Sequence, residues 1–123
     1  MSNDWRKPLF YIAALYDGLL ALLFLFFWRD VFAHFNITPP NHPGYAQFPA
    51  LLLIIFGLLF LQIARNPAAN RDLIVYGILL KIAYSGTVFW HHFTGGVPSM
   101  WIWWAWADVA FLVLFVVAWR KRT

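Results

Sequence analysis

The sequence predicts an all-α fold, a bundle of four transmembrane helices in one integral membrane domain covering residues 1–123. Hydrophobic residues make up 63% of the chain and charged residues only 11%, whereas soluble proteins contain about 25% charged residues. The hydrophobic residues form long runs and not the short periods of soluble helices or strands. Four runs each approach the roughly 20 residues that cross the hydrocarbon as a helix, which leaves no length for a second domain.

The first span is predicted over residues 8–28. Pro8 suits an opening helical turn, and Arg29 and Asp30 end the apolar run. Residues 31–35 are expected to form a short helix at the membrane surface. The three prolines in segment 38–44 remove backbone donors and fix the chain, so this segment is predicted to be an irregular loop.

The other three spans follow with short connections. The second is predicted over residues 45–64 and the third over residues 73–93, with Asn70 as the N-cap of the third. Residues 94–98 contain two glycines and a proline, which predicts a tight turn. The fourth span is then predicted over residues 99–119, directly before a basic C-terminus.

The distribution of basic residues predicts the orientation, because cytoplasmic segments of membrane proteins are enriched in Lys and Arg. Seven basic residues fall on the side of the two termini: Arg6, Lys7, Arg65, Arg71, Arg120, Lys121 and Arg122. Only Arg29 falls on the other side, and Lys81 lies inside a span. This bias predicts that both termini are cytoplasmic and that the segments 29–44 and 94–98 face outward.

Three ionisable residues interrupt the apolar runs at similar depth. Asp17, Lys81 and Asp108 each lie roughly nine to eleven residues from the basic end of a span, which places them within about 3 Å of one another in depth. A lone charge at this depth costs about 2.5–3.5 kcal/mol. We therefore expect Lys81 to lie between the two aspartates inside the bundle. The excess negative charge favours a proton held on or between the carboxyls. Two interpretations stay open: a proton-carrying or cation-binding site, and an ion pair that only fixes the helix register.

A polar stripe extends from this predicted cluster toward the outer surface. Lys81, Tyr84, Ser85 and His92 follow helical spacing along one face of the third span. On the fourth span, two tryptophans share a face with Asp108. The sequence therefore predicts an outward-facing ligand-binding pocket lined by Gln47, Tyr84, Ser85, His92, Trp101 and Trp104. The alternative is that these polar groups only form hydrogen bonds between helices.

All four histidines are expected on the outer side: His34, His42, His91 and His92. Imidazole is a common ligand for zinc, copper, haem iron or chlorophyll magnesium, so these residues are metal-site candidates. Neighbouring helical residues point about 100° apart, however, which disfavours one metal shared by His91 and His92. The alternative is that the histidines face water and lipid headgroups. Six tryptophans are also predicted there, forming an interfacial belt or packing on a cofactor: Trp28, Trp90, Trp101, Trp103, Trp104 and Trp106.

Several function classes are excluded by residues that the chain lacks. It contains no cysteine and no glutamate. This excludes disulfides, thiolate metal sites and iron–sulfur clusters. No phosphate-binding glycine loop or nucleophile elbow occurs either. The basic residues lie at span ends, so they indicate membrane orientation and not nucleic-acid binding.

The proline-rich segment 37–44 and the segment 76–81, Tyr-Gly-Ile-Leu-Leu-Lys, resemble those of uncharacterised small bacterial four-span membrane proteins. The layout of the four spans resembles that of the DoxX-like proteins. This resemblance implies a bacterial inner membrane and a setting of quinone-linked redox or a larger membrane assembly. It carries no catalytic residues over. The acidic residue in the first span is also similar to that of small multidrug-resistance transporters, but those use a glutamate and often have little charge bias.

Three functions therefore stay open. The first is a non-enzymatic membrane component that binds a hydrophobic ligand or cofactor, such as a quinone, haem or pigment, or that serves as a homo-oligomer or subunit of a larger complex. The second is a small proton- or cation-coupled transporter that uses Asp17, Lys81 and Asp108. The third is an intramembrane enzyme acting on a lipid or quinone, with Lys81, Tyr84 and His92 as acid–base groups.

Overall fold

The computed structural model describes residues 4–121, and every regular element among them is a helix. The four helices follow in chain order: α1 (Arg6–His34), α2 (Gly44–Arg65), α3 (Arg71–Thr94) and α4 (Ser99–Arg120). Each is long and apolar enough to cross a bilayer. The prediction of an all-α protein with four candidate membrane spans is therefore confirmed. Arg122, which entered the basic-residue count, lies outside the described residues.

Helix α1 is longer than its predicted span and changes direction near its end. It covers 29 residues, or about 43 Å at a rise of 1.5 Å per residue. Phe27 has non-helical dihedral angles, with φ −126° and ψ 21°. After this kink Trp28, Val31 and Phe32 are buried, so the segment packs on the bundle. The separate surface helix expected at residues 31–35 is thus largely the last turn of α1.

The bundle consists of two helical hairpins. Helix α1 packs most extensively on α2, and α3 packs most extensively on α4, whereas the α2–α3 and α1–α4 seams are thinner. Small residues permit the close approach inside the first hairpin. A Cβ atom added to Gly57 would lie 3.5 Å from the carbonyl oxygen of Ala14, and Ala13 and Ala21 are fully buried on the same helix. Small residues of this kind let the backbones of two membrane helices approach closely.

An aromatic core joins all four helices in the half of the bundle that contains the termini. Phe10, Phe60 and Phe115 are fully buried there. The rings of Phe10 and Phe115 stack with centroids 4.7 Å apart, and those of Phe60 and Phe115 are 5.2 Å apart. Gly77 of α3 provides the space for these rings, because a Cβ atom there would lie 2.7 Å from Cε1 of Phe60. The two hairpins are therefore tightly packed in this half.

The termini and the α2–α3 connection meet at one end of the bundle. Lys7 Nζ donates a hydrogen bond to the carbonyl of Arg65 at 3.2 Å, and Lys121 Nζ lies 3.5 Å from Oδ1 of Asp4. We call this the basic end, because it carries Arg6, Lys7, Arg65, Arg71, Arg120 and Lys121. The opposite end, with the connections at residues 35–43 and 95–98, is the histidine end. The predicted clustering of basic residues at one end is thus present.

Two arginines fix helix termini at the basic end. The Arg6 guanidinium binds the carboxylate of Asp4 through Nε and Nη2, and this contact holds the pKa of Asp4 well below its usual range. Arg71 donates from Nε to the carbonyl of Trp119 at 2.6 Å and stacks on its ring, which connects the start of α3 to the end of α4.

Asn70 occupies the predicted N-cap position of α3, but its side chain makes no capping hydrogen bond. Instead, its amide donates to the carbonyls of Gln62 and Asn66 at 2.8 and 3.1 Å. Gln62 lies in the last turn of α2, where carbonyls have no helical partner, and Asn66 is the C-cap residue of that helix. The asparagine therefore closes the preceding helix and not the one that it begins.

Candidate functional site

Asp17, Lys81 and Asp108 form a buried ion-pair cluster between the two hairpins. Lys81 Nζ lies 3.2 Å from Oδ1 of Asp17 and 3.0 Å from Oδ1 of Asp108. Asp17 and Lys81 are each 1% exposed, and Asp108 is 7% exposed. The predicted position of Lys81 between the aspartates is confirmed. The cluster links α1 to α3 directly, although these two helices do not pack closely on each other.

The lysine ammonium is surrounded by aromatic rings as well as carboxylates. Its Nζ lies 5.2 Å from the ring centroid of Phe111, 5.6 Å from that of Tyr16 and 5.7 Å from that of Phe60. Ring faces attract a cation at these distances, most strongly where water is excluded. Ser85 donates its hydroxyl hydrogen bond to the carbonyl of Lys81 one turn earlier. The charge on Lys81 is therefore held in one position from several sides.

A cavity of about 300 Å³ lies beside this cluster and extends toward the histidine end. All four helices contribute to its wall. The wall is mostly aromatic and aliphatic and consists of Tyr16, Asp17, Leu20, Phe24, Phe32, Tyr45, Ala46, Pro49, Ala50, Leu52, Leu53, Phe56, Leu80, Tyr84, Trp101, Trp104 and Asp108. This size falls at the lower end of the range for small-molecule pockets, roughly 300–1,000 Å³.

Few polar groups line the cavity, and three of them lie at or near the ion-pair cluster: Asp17, Asp108 and Tyr16. Both carboxyls of the cluster, Asp17 and Asp108, line the cavity, whereas Lys81 does not. The Tyr84 hydroxyl donates to the carbonyl of Trp101 at 3.1 Å. The hydroxyl of Tyr16 is buried without a hydrogen-bond partner within residues 4–121. A buried hydroxyl without a partner is costly, so this group is available to a bound molecule.

Helix α2 forms the side of the cavity that is nearest the lipid. Tyr45, Pro49 and Leu52 line the cavity and are themselves exposed at the surface of the bundle. Pro49 has no N–H group, so the carbonyl of Tyr45 loses its usual helical partner. On this side, residues of a single helix separate the cavity from the surface of the bundle.

The predicted pocket residues divide into two groups. Tyr84, Trp101 and Trp104 line the cavity. Ser85 is buried but bonds to its own helix, and Gln47 and His92 are exposed and do not line the cavity. The pocket is therefore closer to the ion-pair cluster than the predicted stripe implied, because the stripe continues along α3 to the surface.

The histidines are dispersed over the histidine end and all four are exposed. His34 and His92 pack edge-on or tilted against neighbouring phenylalanines, and Nδ1 of His42 accepts a hydrogen bond from the backbone of Gly44. Within the described part of the chain, no group of three or more His, Cys, Asp or Glu side chains is placed to hold a metal ion. The metal-ligating role of the histidines stays a prediction.

The tryptophans at the histidine end have two different environments. Trp28 is buried, and Trp101 and Trp104 pack on Phe24 with ring centroids 5.9 and 5.2 Å away. By contrast, Trp90, Trp103 and Trp106 are each more than half exposed, as expected for side chains in an interfacial belt. Trp101 and Trp104 therefore build the cavity wall, Trp28 packs in the core beside them, and the second group is exposed to lipid.

Sequence reasoning missed much of the cavity wall on α1 and α2. Leu20 and Phe24 follow Asp17 at offsets of three and seven, so they share its helical face. On α2, Pro49 and Leu52 follow Tyr45 at offsets of four and seven, so these three residues also share one helical face. The offset of seven that relates Trp101 to Asp108 also relates Phe24 to Asp17, so it would have found Phe24, but not the residues of α2.

Comparison with known protein families, with curated proteins and with solved structures found no match. The resemblance to DoxX-like proteins therefore rests on the layout of the spans alone.

Proposed function

We propose that the protein binds a small, mainly hydrophobic molecule within the membrane, as a non-enzymatic binding component. The cavity beside the cluster is the observation that supports this proposal. Its wall is aromatic and aliphatic, with carboxyls and a hydroxyl without a partner at one side. Small-molecule sites commonly combine an apolar wall with a few polar groups that orient the ligand.

The shape of the site favours a ligand with an apolar body and one polar group. The apolar body would contact Phe24, Trp101 and Trp104, and the polar group would meet Asp17 or Asp108. Haem and chlorophyll would require an axial ligand, usually an imidazole, and none of the histidines lines the cavity. A quinone-sized molecule or another small amphiphile therefore fits the proposal better than a large pigment.

The experiment compares two Leu→Trp variants of α2. Leu53 lines the cavity, whereas Leu51 is exposed to lipid and does not. The wild-type protein would be purified in mild detergent, and its lipophilic contents measured by native mass spectrometry and solvent extraction. We expect wild type and Leu51→Trp to retain the same small molecule and Leu53→Trp to lose it. A ligand-free wild type, or equal retention by both variants, would argue against a binding site in this cavity.

A second candidate function is proton- or cation-coupled transport. It is favoured by the composition of the cluster, which pairs two carboxyls with one ammonium near the bilayer centre. Ionisable groups at this depth commonly mark ion or proton pathways. The measurement is ion flux into proteoliposomes. Equal flux with wild type and with the neutral variant Asp17→Asn/Lys81→Met/Asp108→Asn would exclude this role for the cluster.

The orientation belongs to the same proposal. The basic end is expected on the cytoplasmic side, because basic residues are retained there during insertion. The cavity would then lie in the outer half of the membrane. Association with a larger membrane complex in a bacterial inner membrane, as implied by the DoxX-like layout, is part of this hypothesis and not a separate function.

A further inference from the structure

We infer that the cavity selects a lipophilic monocation, such as a hydrophobic amine or quaternary ammonium compound, over a neutral molecule of the same shape. This inference rests on the proposed binding function and specifies the chemical class of the ligand.

The first argument is the charge of the cavity wall. Asp17 and Asp108 both line the cavity, and Lys81, the cation that pairs with them, does not. Two carboxylates and one ammonium leave one formal negative charge. Among the described residues, Oδ2 of Asp108 accepts no hydrogen bond, whereas Oδ1 accepts one from Lys81. The unbalanced charge is therefore accessible on the cavity side of the cluster.

The second argument is the energetic requirement for a counter-charge. An uncompensated charge near the bilayer centre is costly, and burial makes electrostatic attraction between opposite charges stronger than in water. A proton supplies the counter-charge when the cavity is empty. A bound monocation would supply the same charge and would displace that proton, whereas a neutral ligand would leave the requirement unmet.

The third argument is the aromatic enclosure. The rings of Trp101 and Trp104 are 5.7 Å apart at an angle of 74°, and Phe24 stacks on Trp101 and meets Trp104 edge-on. Tyr16 and Tyr84 complete the wall on the side of the carboxyls. A ring face within about 6 Å of an ammonium group attracts it, and these five aromatic side chains all line the cavity. The cavity thus offers two attractions that a cation uses and an isosteric neutral molecule does not.

The same wall disfavours anions. None of the residues that line the cavity is an arginine, lysine or histidine. An anionic ligand would therefore meet carboxylates without any direct positive partner in the wall. Of the three charge classes, only a cation gains from every polar and aromatic group present.

The test uses a pair of probes that differ only in charge: benzyltrimethylammonium and its neutral carbon analogue, neopentylbenzene. Binding of each probe is measured by equilibrium dialysis of the purified protein in dodecyl maltoside, whose headgroup is uncharged. Protein-free micelles give the background. We expect wild type to bind the cation at least about tenfold more tightly than the neutral probe, from cation–π attraction and the counter-charge together.

Three variants locate the effect. Asp108→Asn leaves a neutral cluster of Asp17 and Lys81, so the cation preference should disappear while neutral binding stays. Asp30→Asn, at an exposed aspartate outside the cavity, should keep the wild-type preference. Leu53→Trp should abolish binding of both probes.

The outcomes separate this inference from the proposed function. Equal wild-type affinity for both probes would overturn the cation inference and leave the binding function intact. No binding of either probe above background would overturn both. Cation binding that survives Leu53→Trp would place the cation elsewhere and overturn the inference. If Asp108→Asn fails to fold, the wild-type ratio and the Leu53→Trp result still decide.

Discussion

Replacement of Gly77 by alanine tests the tight packing that holds the two hairpins together at the basic end. A Cβ atom at this position would lie 2.7 Å from Cε1 of Phe60 and 3.2 Å from Cε2 of Phe115. Favourable carbon–carbon contacts are about 3.5–4.0 Å, so the closest contact is short by roughly 1 Å. Both rings are fully buried and pack against each other, which leaves them little freedom to move.

Gly86 is the matched control, because it lies in the same helix and a Cβ atom there meets nothing within 4 Å. In both variants alanine gains about 0.8–1.0 kcal/mol of helix propensity over glycine. Overpacking in a closed core costs about 1–3 kcal/mol. The propensity term is common to both, so Gly77→Ala should be about 1–3 kcal/mol less stable than Gly86→Ala.

The measurement is unfolding by SDS in mixed micelles, followed by tryptophan fluorescence, with free energies extrapolated to zero SDS. Gly86→Ala should be more stable than wild type, by up to about 0.8–1.0 kcal/mol. Equal stability of the two variants would refute the reasoning, since it would mean that the aromatic core is loose enough to accept an extra methyl group.

Two further predictions concern the charges. Lys81→Met leaves two buried carboxyls without their partner and should lower the free energy of unfolding by about 3–5 kcal/mol. Adding Asp17→Asn and Asp108→Asn to this variant should recover much of the lost stability. If Lys81→Met alone is as stable as wild type, the ion pairs contribute nothing to stability. For the orientation, the chain has no cysteine, so single cysteines can be labelled selectively. A membrane-impermeant maleimide should label Asn41→Cys in intact cells and Ala68→Cys only after permeabilisation, and the reverse pattern would place the basic end outside.

The spans and the ion-pair cluster could be predicted because each follows from a strong local signal. A run of about 20 apolar residues has few alternatives to a membrane helix. A charged residue inside such a run is costly unless it pairs with an opposite charge. The similar depth of Asp17, Lys81 and Asp108 was therefore enough to predict that they form one cluster. Their pairing distances and the position of Lys81 agree with this reasoning.

The cavity could not be predicted fully, because it depends on which helices pack closely and which do not. The polar stripe on α3 correctly predicted that Tyr84 lines the cavity, but it also predicted Ser85 and His92, which do not. Helical periodicity shows which residues share a face, but not where along the helix that face borders a cavity. Gln47 was chosen for polarity, while its neighbour Ala46 lines the cavity instead. The kink at Phe27 could not be predicted, because no proline or glycine occurs at that position.

The location of Lys81 has a consequence for how the chain enters the membrane. Its partner Asp108 belongs to the same hairpin, whereas Asp17 belongs to the other. The second hairpin therefore carries one positive and one negative charge inside its spans, which balance each other before it meets the first hairpin. Asp17 in the first hairpin has no basic partner until the two hairpins meet. The bridge from Lys81 to Asp17 can exist only when the two hairpins are joined, so it distinguishes the correctly joined bundle from two hairpins that lie side by side in the membrane.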